Sequence, residues 1–134
     1  MIERLAIAAA VFAAVAVAYW LWKRPPRRLG RSDLAPLGIR EPAIVQFSTA
    51  DCAPCRKAEP RLREAATRSE VPYRRIDVDD RPDVAREYGI RTVPTIVVTG
   101  RGGRVMEVWT SLPENGEIAE AARRARIATA RPRA

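Results

Sequence analysis

An α/β domain with a mixed four-stranded sheet, preceded by one membrane-length helix, is the fold class this sequence predicts. Three observations predict it. The apolar run Leu5 to Trp22 contains no charged or strongly polar residue. The segments after residue 39 alternate in the order β-α-β-α-β-β-α. The pair Cys52-Ala53-Pro54-Cys55 stands where the first strand gives way to the first helix. The chain divides accordingly into an anchor (1–24), a Pro/Arg-rich basic linker (25–38), an α/β domain (39–128) and a basic tail (129–134).

The amino-terminal run is 18 residues long. At about 1.5 Å per residue a helix of that length covers roughly 27 Å, close to the thickness of a bilayer's hydrocarbon. Tyr19, Trp20 and Trp22 close it, where amphipathic rings favour the headgroup level. Ala16-Val17-Ala18 resembles a leader-cleavage site, which keeps a removable signal peptide as the competing reading. The apolar run continues through that point, which favours an uncleaved anchor. Pro25-Pro26 stops the helix, and the stretch to Gly38 shows no apolar period. Lys23, Arg24, Arg27, Arg28 and Arg31 follow the span, against little basic charge before it. The excess of Lys and Arg places the domain on the cytoplasmic side, with export as the alternative.

Ala43-Ile44-Val45-Gln46-Phe47 is an apolar run of strand length. The cysteine pair opens a helical pattern to about Arg68, with Leu62, Ala65 and Ala66 on one side and a kink expected at Pro60. Pro72 to Val78 alternates as a second strand, and Pro82 to Tyr88 is a short helix ended by Gly89. Thr95 to Thr99 and Arg104 to Trp109, joined by Gly100-Arg101-Gly102-Gly103, read as a hairpin. Glu114 to about Ala128 is a last helix, with Ile118, Ala121, Ala122 and Ala125 as its apolar face. Because the first three strands alternate with helices, they are expected to run parallel.

Composition removes several functions. The chain has 134 residues and no histidine, which excludes His-based acid/base catalysis, a Ser-His-Asp triad and imidazole metal sites. Two cysteines cannot build a multi-disulfide scaffold. The net charge of +8 invites a nucleic-acid reading until it is divided by segment. Residues 1–31 carry a net +5 and the last twelve another +5, whereas residues 39–122 carry −1. A nucleic-acid module needs its basic patch on the folded part, so no nucleic-acid partner is expected. The C-terminal arginines read as a solvated helix face and tail.

C-x-x-C at a strand-to-helix junction has a definite chemistry. Unpaired N–H groups and the positive end of the helix dipole favour a thiolate at the first sulfur. A thiolate attacks a disulfide, and a second thiol resolves the mixed disulfide. Three residues on a helical turn bring both sulfurs within bonding range, so Cys52 is the expected nucleophile and Cys55 the resolving residue. Pro54 removes a donor and stiffens the loop. Two buried structural cysteines, or a metal cluster bridged by a second chain, are the alternatives; the latter lacks further Cys or His ligands.

Phe47 through Pro60, with the proline five residues after the second cysteine, resembles the strand, active-site loop and kinked helix of the thioredoxin family. Tyr88-Gly89-Ile90-Arg91-Thr92-Val93-Pro94-Thr95 resembles the family's second signature, and Asp77-Val78-Asp79 and Pro82 also fit. The resemblance covers residues 39–128. It implies a thioredoxin-like fold, a redox-active Cys52–Cys55 disulfide, and a cis Pro94 facing the cysteine pair. Thr92, Val93, Pro94, Ala53 and Pro54 would then line a substrate groove, where Val93 offers backbone groups to an extended strand.

Several positions depart from the family's pattern. Asp51 stands where tryptophan is common, and its carboxylate disfavours a thiolate at Cys52, while Arg56 and Lys57 push the other way. Gln46 occupies the place of a buried acid and cannot act as a general base. Arg75 matches the basic residue near that acid, and Ser111 replaces a flexible glycine before the last helix. Ala-Pro between the cysteines resembles the reductant members. The expected function is a membrane-tethered thiol–disulfide oxidoreductase that reduces protein disulfides. Its expected partners are those substrates, a redox donor, and lipid along residues 5–22, with no metal or other cofactor. A non-catalytic binding or assembly module on the same fold is the alternative.

Overall fold

The computed structural model describes residues 1–22, 28–114 and 116–131. The basic run Lys23 to Arg27, with the helix stop at Pro25-Pro26, and the tail after Arg131 lie outside the described residues. Helix α1, Ile2–Trp22, has 21 residues, an 18-residue stretch of it has a mean hydropathy of 2.2, and none of its residues is buried. At about 1.5 Å per residue it is roughly 31 Å long, enough to span a bilayer.

The domain is built on strands β1 (Ala43–Ser48), β2 (Tyr73–Asp77), β3 (Thr95–Thr99) and β4 (Val105–Trp109), ordered β2-β1-β3-β4. Every residue of β1 and β3 is buried, because these two strands are central and covered on both faces. Such strands read as continuous apolar runs. The edge strand β2 is only partly covered, and its consecutive Arg74 and Arg75 are exposed. The period of two along β1 assigns its neighbours. Ile44 faces one core with Ile96 and Val98, under helices α2 (Ala53–Ser69) and α4 (Glu117–Ala130). Val45 and Phe47 face the other with Val97, under helix α3 (Pro82–Tyr88).

Strand direction departs from expectation. β1 and β2 are parallel, but β3 runs antiparallel to β1, with Phe47 opposite Thr95 and Ala43 opposite Thr99. The reason is the length of α3. Its seven residues rise only about 10 Å, roughly half the length of β1, so the chain does not return along the sheet. It re-enters at the end where β2 finished.

The expected linker is also more structured than its composition suggests. Residues 29–38 form a strap of two short 3₁₀ turns, Leu29–Arg31 and Ala35–Leu37, packed against the α3 side. Leu34 is fully buried there. The Leu34 N–H donates to the Gly103 carbonyl at 2.8 Å, the Val105 N–H to the Ser32 carbonyl at 3.0 Å, and the Tyr88 hydroxyl to the Asp33 carbonyl at 3.0 Å. The last helix starts at Glu117 rather than Glu114, since Gly116 at φ 99° is left-handed and stands outside it. It runs through Ala130, so Thr129 and Ala130 are helical rather than tail. Arg101 donates to the carbonyls of Thr129 and Arg131 at that end, taking acceptors a helix end leaves open.

Candidate active site at the cysteine pair

β1 leaves the sheet at Ser48, and the cysteines follow at the start of α2. Cys52 is the N-cap of that helix in extended conformation, φ −84° and ψ 101°. Its Sγ accepts the Cys55 backbone N–H at 3.1 Å, one of the donors a helix N-terminus leaves without an intrahelical partner. Pro54, in the first turn, has no N–H to lose there. Cys52 and Cys55 are joined by a disulfide, with Cα atoms 5.2 Å apart. They are 8% and 4% exposed, so accessibility does not separate their roles; position on the helix does. Ala53 and Pro54 between them are exposed.

Pro60 lies within α2, where it removes the N–H that would reach the Arg56 carbonyl, yet the helix continues to Ser69. Arg56 donates to the Ala50 carbonyl at 3.1 Å, tying the first turns to the loop before the cysteines. Asp51 and Lys57 are exposed beside the pair.

The second signature arrives from β3. Phe47 opposite Thr95 is the last pair of that ladder, so the residues before Thr95 leave the sheet at the same end as the cysteine loop. The Val93–Pro94 bond is cis, as the resemblance implies. Pro94 is buried, Val93 half-buried and Thr92 exposed, a graded rim beside the loop. Thr92 is held by its carbonyl, which accepts the Thr95 hydroxyl at 2.7 Å.

Behind the disulfide, Gln46 is fully buried on the α2 face of β1. Its Nε2 donates to the Cys55 carbonyl at 3.0 Å, and its Oε1 accepts the Tyr73 hydroxyl. Arg75, the register partner of Gln46, turns instead to the Ser48 hydroxyl at 2.7 Å and to Asp77. Tyr73 is the residue that sequence reasoning missed. Burial, with the Glu59 carboxylate next, pushes its phenol from 10.0 up to about 12. Arg63 stacks over its ring at 4.6 Å from the centroid. The support behind Cys55 is therefore neutral at physiological pH.

Tyr73→Phe should strand the buried Gln46 Oε1 and lower stability by about 1–3 kcal/mol. The raised phenol has a second consequence. Its contribution to stability is present below pH 10 and fades as pH rises towards about 12. Denaturant midpoints of wild type and Tyr73→Phe should therefore converge over that interval. A gap that stays constant there would show that the phenol does not ionise against the fold.

The thioredoxin family model matches residues 37–123. Thioredoxin H2 of Arabidopsis thaliana is 36% identical over 66 residues, which cover 48% of this chain and 50% of the plant protein. Thioredoxin of Pyropia yezoensis is 37% identical over 76 residues, 55% of this chain and 71% of that one. Among solved structures, a single-residue mutant of thioredoxin from Halobacterium salinarum NRC-1 superposes with a TM-score of 0.58 at 26% identity, covering 64% of this chain and 75% of that chain. The chain thus spans only half the length of the Arabidopsis relative.

Proposed function

The chain belongs to the thioredoxin family, a family of thiol–disulfide oxidoreductases, and from that premise we propose that it reduces disulfides of other proteins while anchored in a membrane by α1. One observation carries the reading: Cys52 caps α2 with its sulfur on the Cys55 N–H, and Cys55 is its disulfide partner. In the reduced protein the same N–H and the helix dipole favour the Cys52 thiolate. That thiolate attacks a substrate disulfide and expels one substrate sulfur as thiolate. Cys55 then attacks Cys52 Sγ in the mixed disulfide, and the second substrate sulfur leaves. Gln46 and Tyr73 offer no base, so the Cys55 proton leaves with the departing substrate thiolates or with water. Two electrons pass to the substrate, and the Cys52–Cys55 disulfide is restored. A separate donor returns the two electrons.

The rim formed by Thr92, Val93 and Pro94 supports a substrate bound as an extended strand beside Ala53 and Pro54. Asp51 opposes the thiolate electrostatically, and Arg56 and Lys57 favour it. Reduction of insulin with dithiothreitol as donor tests the activity; a rate equal to that of dithiothreitol alone would refute it.

The apolar length of α1 supports single-pass membrane attachment, and the basic residues after it support a cytoplasmic domain. Alkaline phosphatase fused to the carboxyl terminus is expected to be inactive, and a cytoplasmic reporter at that position to be active. The reverse pattern would place the domain on the outer face.

A further inference from the structure

Six arginines of the folded domain stand together at one end. The central strands run between two poles: the dithiol end, where β1 finishes and β3 starts, and the opposite end, where β1 starts and β3 finishes. Six residues of β1 separate them by about 20 Å. At the end remote from the dithiol stand Arg28 and Arg31 on the strap, Arg40 before β1, Arg101 and Arg104 around the β3–β4 turn, and Arg131 after α4. All six are exposed, and none forms an ion pair among the described residues. The strap joins this pole through an Asp33–Arg104 backbone bridge, and Arg101 reaches Arg131 through its carbonyl. The acids there are engaged: Glu41 is paired with Arg74 and Glu70 with Arg126, and the Asp33 carboxylate accepts the Ala35 N–H. The dithiol end is mixed, with Asp51, Asp79 and Asp80 against Arg56, Lys57 and Arg91.

The arginine pole is also where the chain comes from α1. Arg28 is fixed by the strap, and six peptide units from Trp22 span at most about 20 Å. If α1 crosses a bilayer, this pole is held within that reach of the headgroups, and the dithiol is not. Charge and tether agree. We infer that the arginine pole docks on the anionic phospholipid surface beside the anchor, which turns the Cys52–Cys55 pair away from the membrane and towards soluble substrate proteins. The inference rests on the anchor reading of α1.

Hydrogen exchange of the full chain, reconstituted in vesicles, tests it. One set is phosphatidylcholine alone, and the other contains about a third phosphatidylglycerol. Amides of residues 100–106 and 126–131 should exchange about fivefold more slowly in the anionic vesicles, and the effect should fade with salt. Residues 49–56 should not change. Arg101→Gln/Arg104→Gln/Arg131→Gln should lose the protection, and Arg101→Lys/Arg104→Lys/Arg131→Lys should keep it. Alkaline extraction reads insertion separately. A chain that resists extraction yet shows equal exchange in both vesicles overturns the docking and leaves the anchor standing. A chain released by alkali overturns the anchor and the docking with it. Protection at residues 49–56 would reverse the orientation, and protection by added RNA but not by anionic vesicles would make the pole a nucleic-acid surface.

Discussion

Cys52→Ser is expected to bring insulin reduction down to the rate of dithiothreitol alone, a loss of orders of magnitude. Serine keeps the capping geometry at the start of α2, because its hydroxyl can accept the Cys55 N–H that the sulfur accepts at 3.1 Å. Folding should therefore survive while the nucleophile disappears. Cys55→Ser should behave differently. Its Cys52 thiolate still attacks, but nothing resolves the product, so a mixed disulfide with substrate accumulates and is visible as added mass that a reductant removes. The two cysteines are both buried, so the asymmetry tests their placement on the helix. If Cys55→Ser lost the first attack and Cys52→Ser formed the trapped adduct, the roles would be exchanged. Wild-type turnover in Cys52→Ser would remove the dithiol mechanism altogether.

What could be read from the sequence is what local chemistry determines. β1, β3 and the hairpin announce themselves as apolar β-branched runs between glycines and prolines, and Cys52 as a cap before a helical pattern. The direction of β3 is not local. It depends on how far α3 carries the chain, and Pro82 to Tyr88 looks the same whichever way the next strand points. Tyr73 reads as one member of an alternating edge strand; only pairing with β1 sets its hydroxyl against Gln46. Leu34 is an apolar residue between Asp33 and Ala35-Pro36, with no period to mark it, so its burial in the α3-side core left no signal. Likewise Arg28, Arg31 and Arg131, which by segment belong to two separate flanks, stand in space with Arg40, Arg101 and Arg104 at one pole.

Gly103→Ala is expected to be strongly destabilising although it lies far from the dithiol. Gly103 has φ +77°, and a Cβ there would meet the Ile39 carbonyl oxygen at 2.0 Å and the Ala35 nitrogen at 2.9 Å. Both are backbone atoms of the strap region, which cannot swing aside as a side chain would. The left-handed conformation alone costs about 1–2 kcal/mol, and the overlap adds about 1–3 kcal/mol, so a loss of about 2–5 kcal/mol follows. Gly102→Ala is the control. Its φ is +70°, but nothing lies within 4 Å of the added carbon, so only the conformational part, about 1–2 kcal/mol, applies. Urea midpoints of the two variants should differ accordingly, and equal losses would show that the clash is relieved without consequence. The strain can be released in two ways. The domain can unfold, or the strap can lift, breaking the Leu34–Gly103 hydrogen bond and exposing Leu34. Lifting gives up the burial of Leu34, about 1.5–3 kcal/mol, and with it the Ser32–Val105 and Tyr88–Asp33 hydrogen bonds and the packing of Leu29 and Leu37, but it spares the sheet that global unfolding loses, so it is the cheaper route. Amides of residues 29–39 should then lose protection in Gly103→Ala while β1 and β3 keep theirs. Insulin reduction should persist, because the dithiol lies at the other end of the sheet. The lifted strap would also lengthen the tether by about ten residues, at up to roughly 3.4 Å each, and so free the arginine pole from the enforced neighbourhood of the membrane. Loss of lipid-dependent protection at residues 100–106 in a variant that still reduces insulin is the outcome that joins these steps.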